Sequence, residues 1–210
     1  MRKRRYNHSD EKLQQMEETR LAILSAAFKE FSTQGYENAS MAEIAKSAKT
    51  AKGTLYNYFE SKQKLYAEIA WKIMQQLEKT VCDQVNENNT GLERVKKIGR
   101  ELYRFFRNNR FYYEVFSFLN TNIMEIIGND SRFSRDPIAE ITVASIEQGK
   151  KDGSISCDVH PVKFLAFASS TIWGMLMYMH ERGDSIIAKT GLSEEEMVDY
   201  CFEGIEKALL

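Results

Sequence analysis

Proline is almost absent from this chain, and this limits what the chain can fold into. Pro137 and Pro161 are the two prolines among 210 residues. Proline inside a helix removes a backbone hydrogen bond and clashes with the preceding turn, so its scarcity permits long helices almost everywhere. Apolar residues recur at helical spacing between short breaks rich in glycine, asparagine and aspartate. The sequence therefore predicts an all-α protein of about nine helices.

The first third of the chain predicts three helices in close succession. The first covers about residues 10–34, has one apolar face, and ends at Gly35, a residue typical of the position just past a helix C-terminus. Ser40 and Glu43 form a capping-box pattern that opens a short second helix, with each side chain bonding the other residue's backbone amide. After a break of three residues, a third helix is expected over about residues 52–58.

The remaining helices are longer. Ser61 is a candidate N-cap for a fourth helix ending near residue 87. Breaks such as Lys151-Asp152-Gly153 separate the segments that follow. Five further helices are predicted at about residues 92–107, 109–127, 133–151, 161–182 and 193–209.

Charge is distributed unevenly along the chain. Residues 1–66 contain 12 lysines and arginines against 8 aspartates and glutamates, whereas residues 67–210 contain 17 against 22. A net charge of +4 at one end and −5 over the rest suggests a polyanionic partner for the N-terminal part alone. A chance fluctuation of a few charges is the alternative explanation.

Residues 49–62, KTAKGTLYNYFESK, combine three lysines with three aromatic residues. Two short helices joined by a three-residue turn, with a supporting helix before them, are typical of a helix-turn-helix. Gly53 costs about 1 kcal/mol of helix stability relative to alanine, but it permits close approach of another backbone. We interpret the segment as packing one face, with Leu55 and Phe59, inward while the other meets a DNA duplex. The alternative is that its lysines and tyrosines are ordinary solvated surface residues.

The run TRLAILSAAFKEFSTQGYENASMAEIAKSAKTAKGTLYNYFESKQKL, residues 19–65, resembles the DNA-binding domain of TetR-family transcriptional regulators. The resemblance implies a three-helix DNA-binding domain over residues 1–66 and a helical effector-binding and dimerisation domain over residues 67–210. Tyr56, Tyr58 and Lys62 match positions that usually hold phosphates, whereas Lys52, Gly53 and Thr54 match positions that usually face bases. The implied DNA-facing set is Ser40, Lys49, Thr50, Lys52, Gly53, Thr54, Tyr56, Asn57, Tyr58 and Lys62.

The chain departs from the usual family pattern at several positions. Lys49 stands where the family usually has a turn glycine, and a positive φ there would cost a lysine about 1 kcal/mol. Ala51 replaces a frequent serine, which removes a capping or phosphate-binding hydroxyl. Residues 2–5, RKRR, precede the first helix. They are either an arm that contacts the minor groove or backbone, or a solvated tail.

An apolar stripe in the second region has two interpretations. Tyr112, Phe116, Leu119, Ile123 and Ile126 fall on one helical face, a pattern that usually indicates core packing. The family resemblance instead implies a ligand cavity in this region, which aromatic and methionine side chains would adapt to lipophilic or aromatic ligands. The predicted pocket residues are Trp71, Met74, Phe105, Tyr112, Phe116, Leu119, Ile123, Trp173 and Met177.

We expect the last two helices to form a homodimer interface, with intramolecular packing as the alternative. Cys82, Cys157 and Cys201 are far apart, which favours a reducing compartment. The uncharged stretch of residues 164–179 is shorter than the roughly 20 residues of a membrane span. A cytoplasmic protein without membrane insertion is therefore expected.

The predicted function is ligand-responsive transcriptional repression. A homodimer would bind a palindromic double-stranded DNA operator, and a small lipophilic or aromatic effector would release it. No grouping of histidine, serine, cysteine and carboxylate side chains matches a catalytic pattern. No enzymatic activity, cofactor or metal site is therefore expected. The alternative is a helical small-molecule-binding or adaptor protein that does not bind DNA.

Overall fold

The computed structural model describes residues 3–85, 88–122 and 126–210, without the side chains of residues 3–9, 120, 121 and 186. Within these ranges the chain is all-α, as predicted, and a short 3₁₀ helix covers Ser131–Ser134. The α-helices of the described ranges are α1 (Lys3–Asn38), α2 (Met41–Ser47), α3 (Lys52–Tyr58), α4 (Lys62–Gln84), α5 (Gly91–Arg107), α6 (Arg110–Thr121), α7 (Pro137–Asp152), α8 (Pro161–Thr190) and α9 (Glu194–Lys207).

Several helices begin or end at residues other than those predicted. The first helix begins at Lys3, about two turns before the predicted start, and its regular geometry is interrupted at Gly35, where φ is 72° and ψ is 171°. Pro137 occupies the first turn of α7, and Asp136 caps that turn by accepting from the Ala139 amide at 3.0 Å. The eighth helix continues to Thr190, beyond the predicted end at 182.

The chain divides into two compact units. The first contains residues 1–72 and 118–130, and the second contains residues 73–117 and 131–210. The division falls inside α4 and inside α6, so each of these helices contributes to both units. The sequence prediction placed its boundary at residue 66 and did not anticipate that residues 118–130 belong with the first unit.

The first unit has a core of aliphatic and aromatic side chains. Ile23, Ala27 and Phe31 of α1 are buried, as the periodicity predicted, whereas Phe28 keeps 38% of its surface exposed. An Arg20–Glu68 ion pair joins α1 to α4, and the Glu68 carboxylate is almost buried. The remaining buried side chains of this core come from α2, α3 and α4 and include Met41, Ile44, Ala45, Leu55, Phe59, Leu65, Tyr66, Ile69 and Ala70.

The second unit is organised around α5, which packs against α7, α8 and α9. Gly91 and Gly149 permit the closest approach: a Cβ on Gly91 would lie 2.1 Å from the Gly149 nitrogen. The start of α5 is extensively hydrogen-bonded, because Thr90 and Glu93 form a reciprocal capping box. Asp152 also accepts from the Gly91 amide at 2.9 Å, and Ser154 accepts from the Leu92 amide at 3.1 Å.

One helix is apolar along most of its length. The stretch Pro161–Ser185 of α8 is long and apolar enough to cross a membrane by length and composition. A single helix of this kind is weak evidence for a membrane span, because core helices of soluble proteins meet the same criteria. Large side chains of α8 remain exposed within this unit: Phe167, Met177 and Tyr178 each keep close to half of their surface accessible.

Candidate nucleic-acid interface

The start of α2 is capped differently from the predicted box. Ser40 is the N-cap, and its hydroxyl accepts from the Ala42 amide at 3.2 Å. The Ser40 amide donates weakly, at 3.5 Å, to the Glu30 carboxylate of α1. Glu43 forms an ion pair with Lys46 at 3.4 Å. The predicted reciprocal bond from Glu43 is therefore wrong, because Glu30 occupies that amide and ties α2 to the preceding helix.

The turn between α2 and α3 has an unusual backbone at Lys49. Among the described residues, Lys49 is the one residue other than glycine that has a positive φ. Lys49 has φ of 54°, which confirms the strain expected for a lysine at this position. The turn is fixed by backbone bonds from the Lys49 amide to the Lys46 carbonyl (3.1 Å) and from the Thr50 amide to the Ala45 carbonyl (3.0 Å). Lys49 is exposed and Thr50 half-buried. The exposed cation is thus held by a rigid, strained turn.

The third helix presents one face to the core and the other to solvent. Leu55 is fully buried and Phe59, the C-cap, is 6% exposed, as predicted. The predicted DNA-facing residues lie on the opposite side or at its edges: Lys52, Gly53, Tyr56 and Asn57 are exposed, and Thr54 and Tyr58 are half-buried.

The beginning of α3 is open in two respects. Ala51 is the N-cap and makes no side-chain hydrogen bond to the first turn. A Cβ built on Gly53 would meet nothing within 4 Å, so another molecule can approach this backbone closely. The ammonium of Lys52 lies 6.0 Å from the centre of the Tyr56 ring. The outward face of α3 thus combines one cation, hydroxyl and amide donors, and accessible backbone.

Lys62 has different surroundings from those expected of a phosphate contact. Its ammonium donates to the backbone carbonyls of Tyr36, Glu37 and Ala39 at 2.7, 3.1 and 3.3 Å. It also lies 4.5 Å from the centre of the Tyr36 ring. An ammonium has three donors, and three carbonyl oxygens occupy them here. Lys62 therefore binds the backbone at the end of α1, whereas Lys49 and Lys52 are exposed.

A helix-turn-helix with this exposed face agrees with what the chain resembles. The sequence profile of bacterial regulatory proteins, tetR family, matches residues 23–69. The helix-turn-helix region of this chain therefore matches that of TetR-family regulators. Among TetR-family relatives, the HTH-type regulator AcrR of Shigella flexneri is 42% identical over 60 residues, which span 29% of this chain and 27% of AcrR.

Other TetR-family comparisons cover more of the chain. An uncharacterised HTH-type regulator of Bacillus subtilis, YhgD, is 26% identical over 148 residues, spanning 68% of this chain and 75% of YhgD. The crystal structure of Bacillus subtilis FadR in complex with stearoyl-CoA superposes with a TM-score of 0.68 and 17% identity, over 90% of this chain and 99% of FadR. At that identity the likeness concerns the fold alone, and it covers residues of both units.

The residues predicted to line an effector pocket occupy several environments. In the second unit, Phe105 contacts Tyr112 with ring centres 5.2 Å apart, and Phe106 contacts both Phe116 and Trp173 at similar distances. Met177 is about half exposed in the single chain, so its place in the predicted pocket stays a prediction. Met74 and Trp71 are half-buried, Leu119 is buried in the first unit, and Ile123 lies outside the described residues.

Two concavities of the second unit were not predicted. A small apolar cavity of about 60 Å³ lies between α5, α7, α8 and α9, and none of the nine predicted pocket residues lines it. A wider groove of about 560 Å³ lies between α8 and α9; Gly174, Tyr178, Met197 and Tyr200 are among its lining residues. Both bring together residues more than 20 positions apart, which sequence periodicity cannot reveal.

An ion-pair cluster at the start of α9 was also not predicted from the sequence. Arg107 binds Glu194 through two nitrogens at 2.6 and 2.7 Å, and the Tyr103 hydroxyl donates to the same carboxylate at 2.8 Å. The hydrogen bonds from Arg107 lower the pKa of Glu194. Burial lowers the pKa of the nearby His180, whose ring nitrogen contacts the Phe106 carbonyl at 3.3 Å. Arg107 and Glu194 are 87 residues apart in the chain, and no local motif signals their pairing.

Proposed function

We propose that this TetR-family regulator is a dimeric repressor, released from its operator when a small lipophilic or aromatic effector binds its second unit. The observation that carries the proposal is the outward face of α3. That face is exposed, cationic and open at its backbone, while Leu55 and Phe59 hold the opposite side in the core. In a helix-turn-helix, the second helix enters the major groove with its N-terminal residues against base edges.

Ser40, Lys49, Thr50 and Asn57 complete the proposed DNA surface with Lys52, Gly53, Thr54, Tyr56 and Tyr58. Lysine and tyrosine tips suit phosphate oxygens, which fix register without carrying sequence information. Lys52 at the first position of α3 suits a guanine edge, because lysine donates to guanine O6 and N7 in the major groove. Lys62 is not in this revised set, since its donors are already engaged.

The proposed dimer uses α8 and α9. Phe167, Met177, Tyr178 and Tyr200 are exposed in the single chain, with Tyr200 at 78% of its surface. Large apolar side chains exposed on two neighbouring helices are typical of protein interfaces. A twofold pair would bury the same groove on both copies and present two α3 helices to half-sites about 34–36 Å apart, which requires a palindromic operator.

An effector inside the second unit would act by favouring one conformation. It needs only to bind the conformation with the wrong spacing of recognition helices more tightly than the other. FadR of Bacillus subtilis, solved with stearoyl-CoA, supports a lipophilic class of effector. The aromatic side chains of α5, α6 and α8 are the proposed surroundings of the ligand, and the location of the protein would be the cytoplasm.

The decisive experiment is selection from fragmented genomic DNA with the purified protein, followed by sequencing of the retained fragments. The proposal predicts one or a few palindromic sites, and a Lys52→Glu variant that no longer enriches them. Lys79→Glu, which reverses an exposed lysine of the second unit, is the matched control. Absence of any enriched site, or enrichment unaffected by Lys52→Glu, would instead support a helical adaptor that binds small molecules without DNA.

A further inference from the structure

We propose that Lys62 is a positioning residue for operator recognition: its ammonium clamps the segment linking α1 to α2, and through it the orientation of the helix-turn-helix. This inference rests on the proposed DNA-binding function. It assigns Lys62 a role distinct from the phosphate contact that its place at the start of α4 suggests. This connector comprises residues 35–40, which are the end of α1 from the break at Gly35 onward and the two residues before α2.

The connector leaves several backbone carbonyls to be satisfied. Helical geometry breaks at Gly35, so the last carbonyls of α1 lose their usual partners within the helix. A backbone bond from the Ala39 amide to the Gly35 carbonyl, at 3.2 Å, spans this turn. The carbonyls of Tyr36, Glu37 and Ala39 converge on one point, and the Lys62 ammonium occupies it. A cation is favourable there because a helix C-terminus carries negative potential.

The other side of the connector is held by aromatic packing. The ring of Tyr36 is 8% exposed and lies 4.9 Å from the ring centre of Tyr66 in α4. It lies 4.7 Å from the ring centre of Phe118, which α6 contributes to the first unit. Phe31 completes the cluster at 5.1 Å from Tyr66. Lys62 stacks on the same Tyr36 ring, so its charge and the cluster fix one residue from two directions.

The clamp determines where α2 begins. Ala39 immediately precedes the N-cap Ser40, and α2 leads into α3 through the tight turn at Lys49. A shift of the connector would therefore be carried to the exposed face of α3. Loss of the ammonium removes a donor from three carbonyls, and the bonds to two of them, those of Tyr36 and Ala39, are part-buried. We expect the connector to move in order to satisfy these two carbonyls.

The test separates positioning from phosphate binding by salt dependence. Each phosphate contact contributes about −0.9 to the slope of log affinity against log salt. The variants are Lys62→Met, which removes the charge at similar length, and Lys62→Arg, which keeps it. Arginine can still bind a phosphate, but its planar fork does not present three donors to one convergent point. Lys72→Met, at an exposed position of the same helix, is the charge-matched control.

Affinities for the operator and for a scrambled duplex are measured at several salt concentrations, well below each variant's unfolding temperature. We expect both Lys62 variants to lose about tenfold or more in the ratio of specific to nonspecific affinity, with an unchanged salt slope. A slope reduced by about 0.9 in Lys62→Met and restored in Lys62→Arg would overturn the proposal. Wild-type ratios in both folded variants would overturn it equally, since a role in fold stability alone predicts that result.

Amide hydrogen exchange supplies a measurement that needs no DNA. We expect the Ala39 amide to exchange faster in Lys62→Met than in wild type or Lys72→Met. If Lys62→Met does not fold, Lys62→Arg is used for the same comparison. Unchanged exchange at Ala39 in a folded variant contradicts the clamp. A wild-type protein that selects no DNA contradicts the proposed function, and the exchange result still decides whether the clamp exists.

Discussion

The first turns of α3, in the first unit, and of α5, in the second, differ in how their backbone amides are hydrogen-bonded. At α5, side chains of Thr90, Asp152 and Ser154 accept from three successive first-turn amides, those of Glu93, Gly91 and Leu92. At α3, the N-cap is Ala51 and supplies no side-chain acceptor. Free first-turn amides attract anions, whereas satisfied ones serve only the fold. The comparison indicates that α5 starts a packed core and that α3 starts a surface meant for another molecule.

Of the substitutions considered, we expect Gly91→Ala at the start of α5 to have the largest effect. The added Cβ would lie 2.1–2.4 Å from backbone atoms of Gly149 and Ser145, so α5 and α7 would have to separate. We expect a loss of about 3 kcal/mol in the free energy of unfolding, measured by chemical denaturation.

Gly204→Ala in α9 is the control for that substitution. A Cβ at Gly204 meets nothing within 4 Å, so the higher helix propensity of alanine should increase stability by up to about 1 kcal/mol. Equal stability of Gly91→Ala and wild type would show that the second unit tolerates separation of α5 and α7, and that their close crossing does not define it.

The same contrast explains what could be predicted from sequence. Gly35, Ser40 and the apolar positions around Leu55 act within a few residues of themselves, so the helix-turn-helix was predictable in type and nearly in boundaries. The pairing of Gly91 with Gly149, or of Arg107 with Glu194, depends on contacts made 58 or more positions apart. No periodicity carries that information, and for this reason neither the cavities nor the role of Lys62 was anticipated.

The open start of α3 is tested by Lys52→Ala. If this lysine reads a base edge, operator affinity should fall by about 2 kcal/mol and preference at one position of each half-site should relax. Gel-shift titration against the operator and its single-position variants measures both effects. Lys79→Ala, exposed in the second unit, should change neither. A uniform loss across all DNA sequences would instead make Lys52 a phosphate contact.

The start of α9 contains a half-buried ion pair, through Glu194. We expect Glu194→Gln to lower the free energy of unfolding by about 1.5 kcal/mol at pH 7, because Arg107 and Tyr103 lose a charged acceptor. The hydrogen bonds from Arg107 hold the pKa of Glu194 below its ordinary 4.5. The unfolded chain therefore takes up this proton first, and the stabilisation disappears as pH falls below about 4.5.

Denaturation at a series of pH values between 3 and 7 checks this dependence. The difference between wild type and Glu194→Gln should shrink steadily toward low pH. Glu195→Gln, one position further along and exposed, should unfold like wild type throughout. A difference that stays constant down to pH 3 would mean that the carboxylate charge is not what Arg107 and Tyr103 respond to.

The smallest effect is expected at Lys49, where stability and binding should change in opposite directions. Lys49→Gly relieves the positive φ of 54° and should raise the free energy of unfolding by about 1 kcal/mol. If the lysine contacts a phosphate, the same change should reduce the salt slope of operator binding by about 0.9. Lys49→Asn removes the charge but tolerates this backbone, so it should match the glycine variant in slope while gaining less stability. An unchanged slope in both variants, with the gain in stability intact, would leave the strained lysine without a DNA contact and restrict the open surface to α3 itself.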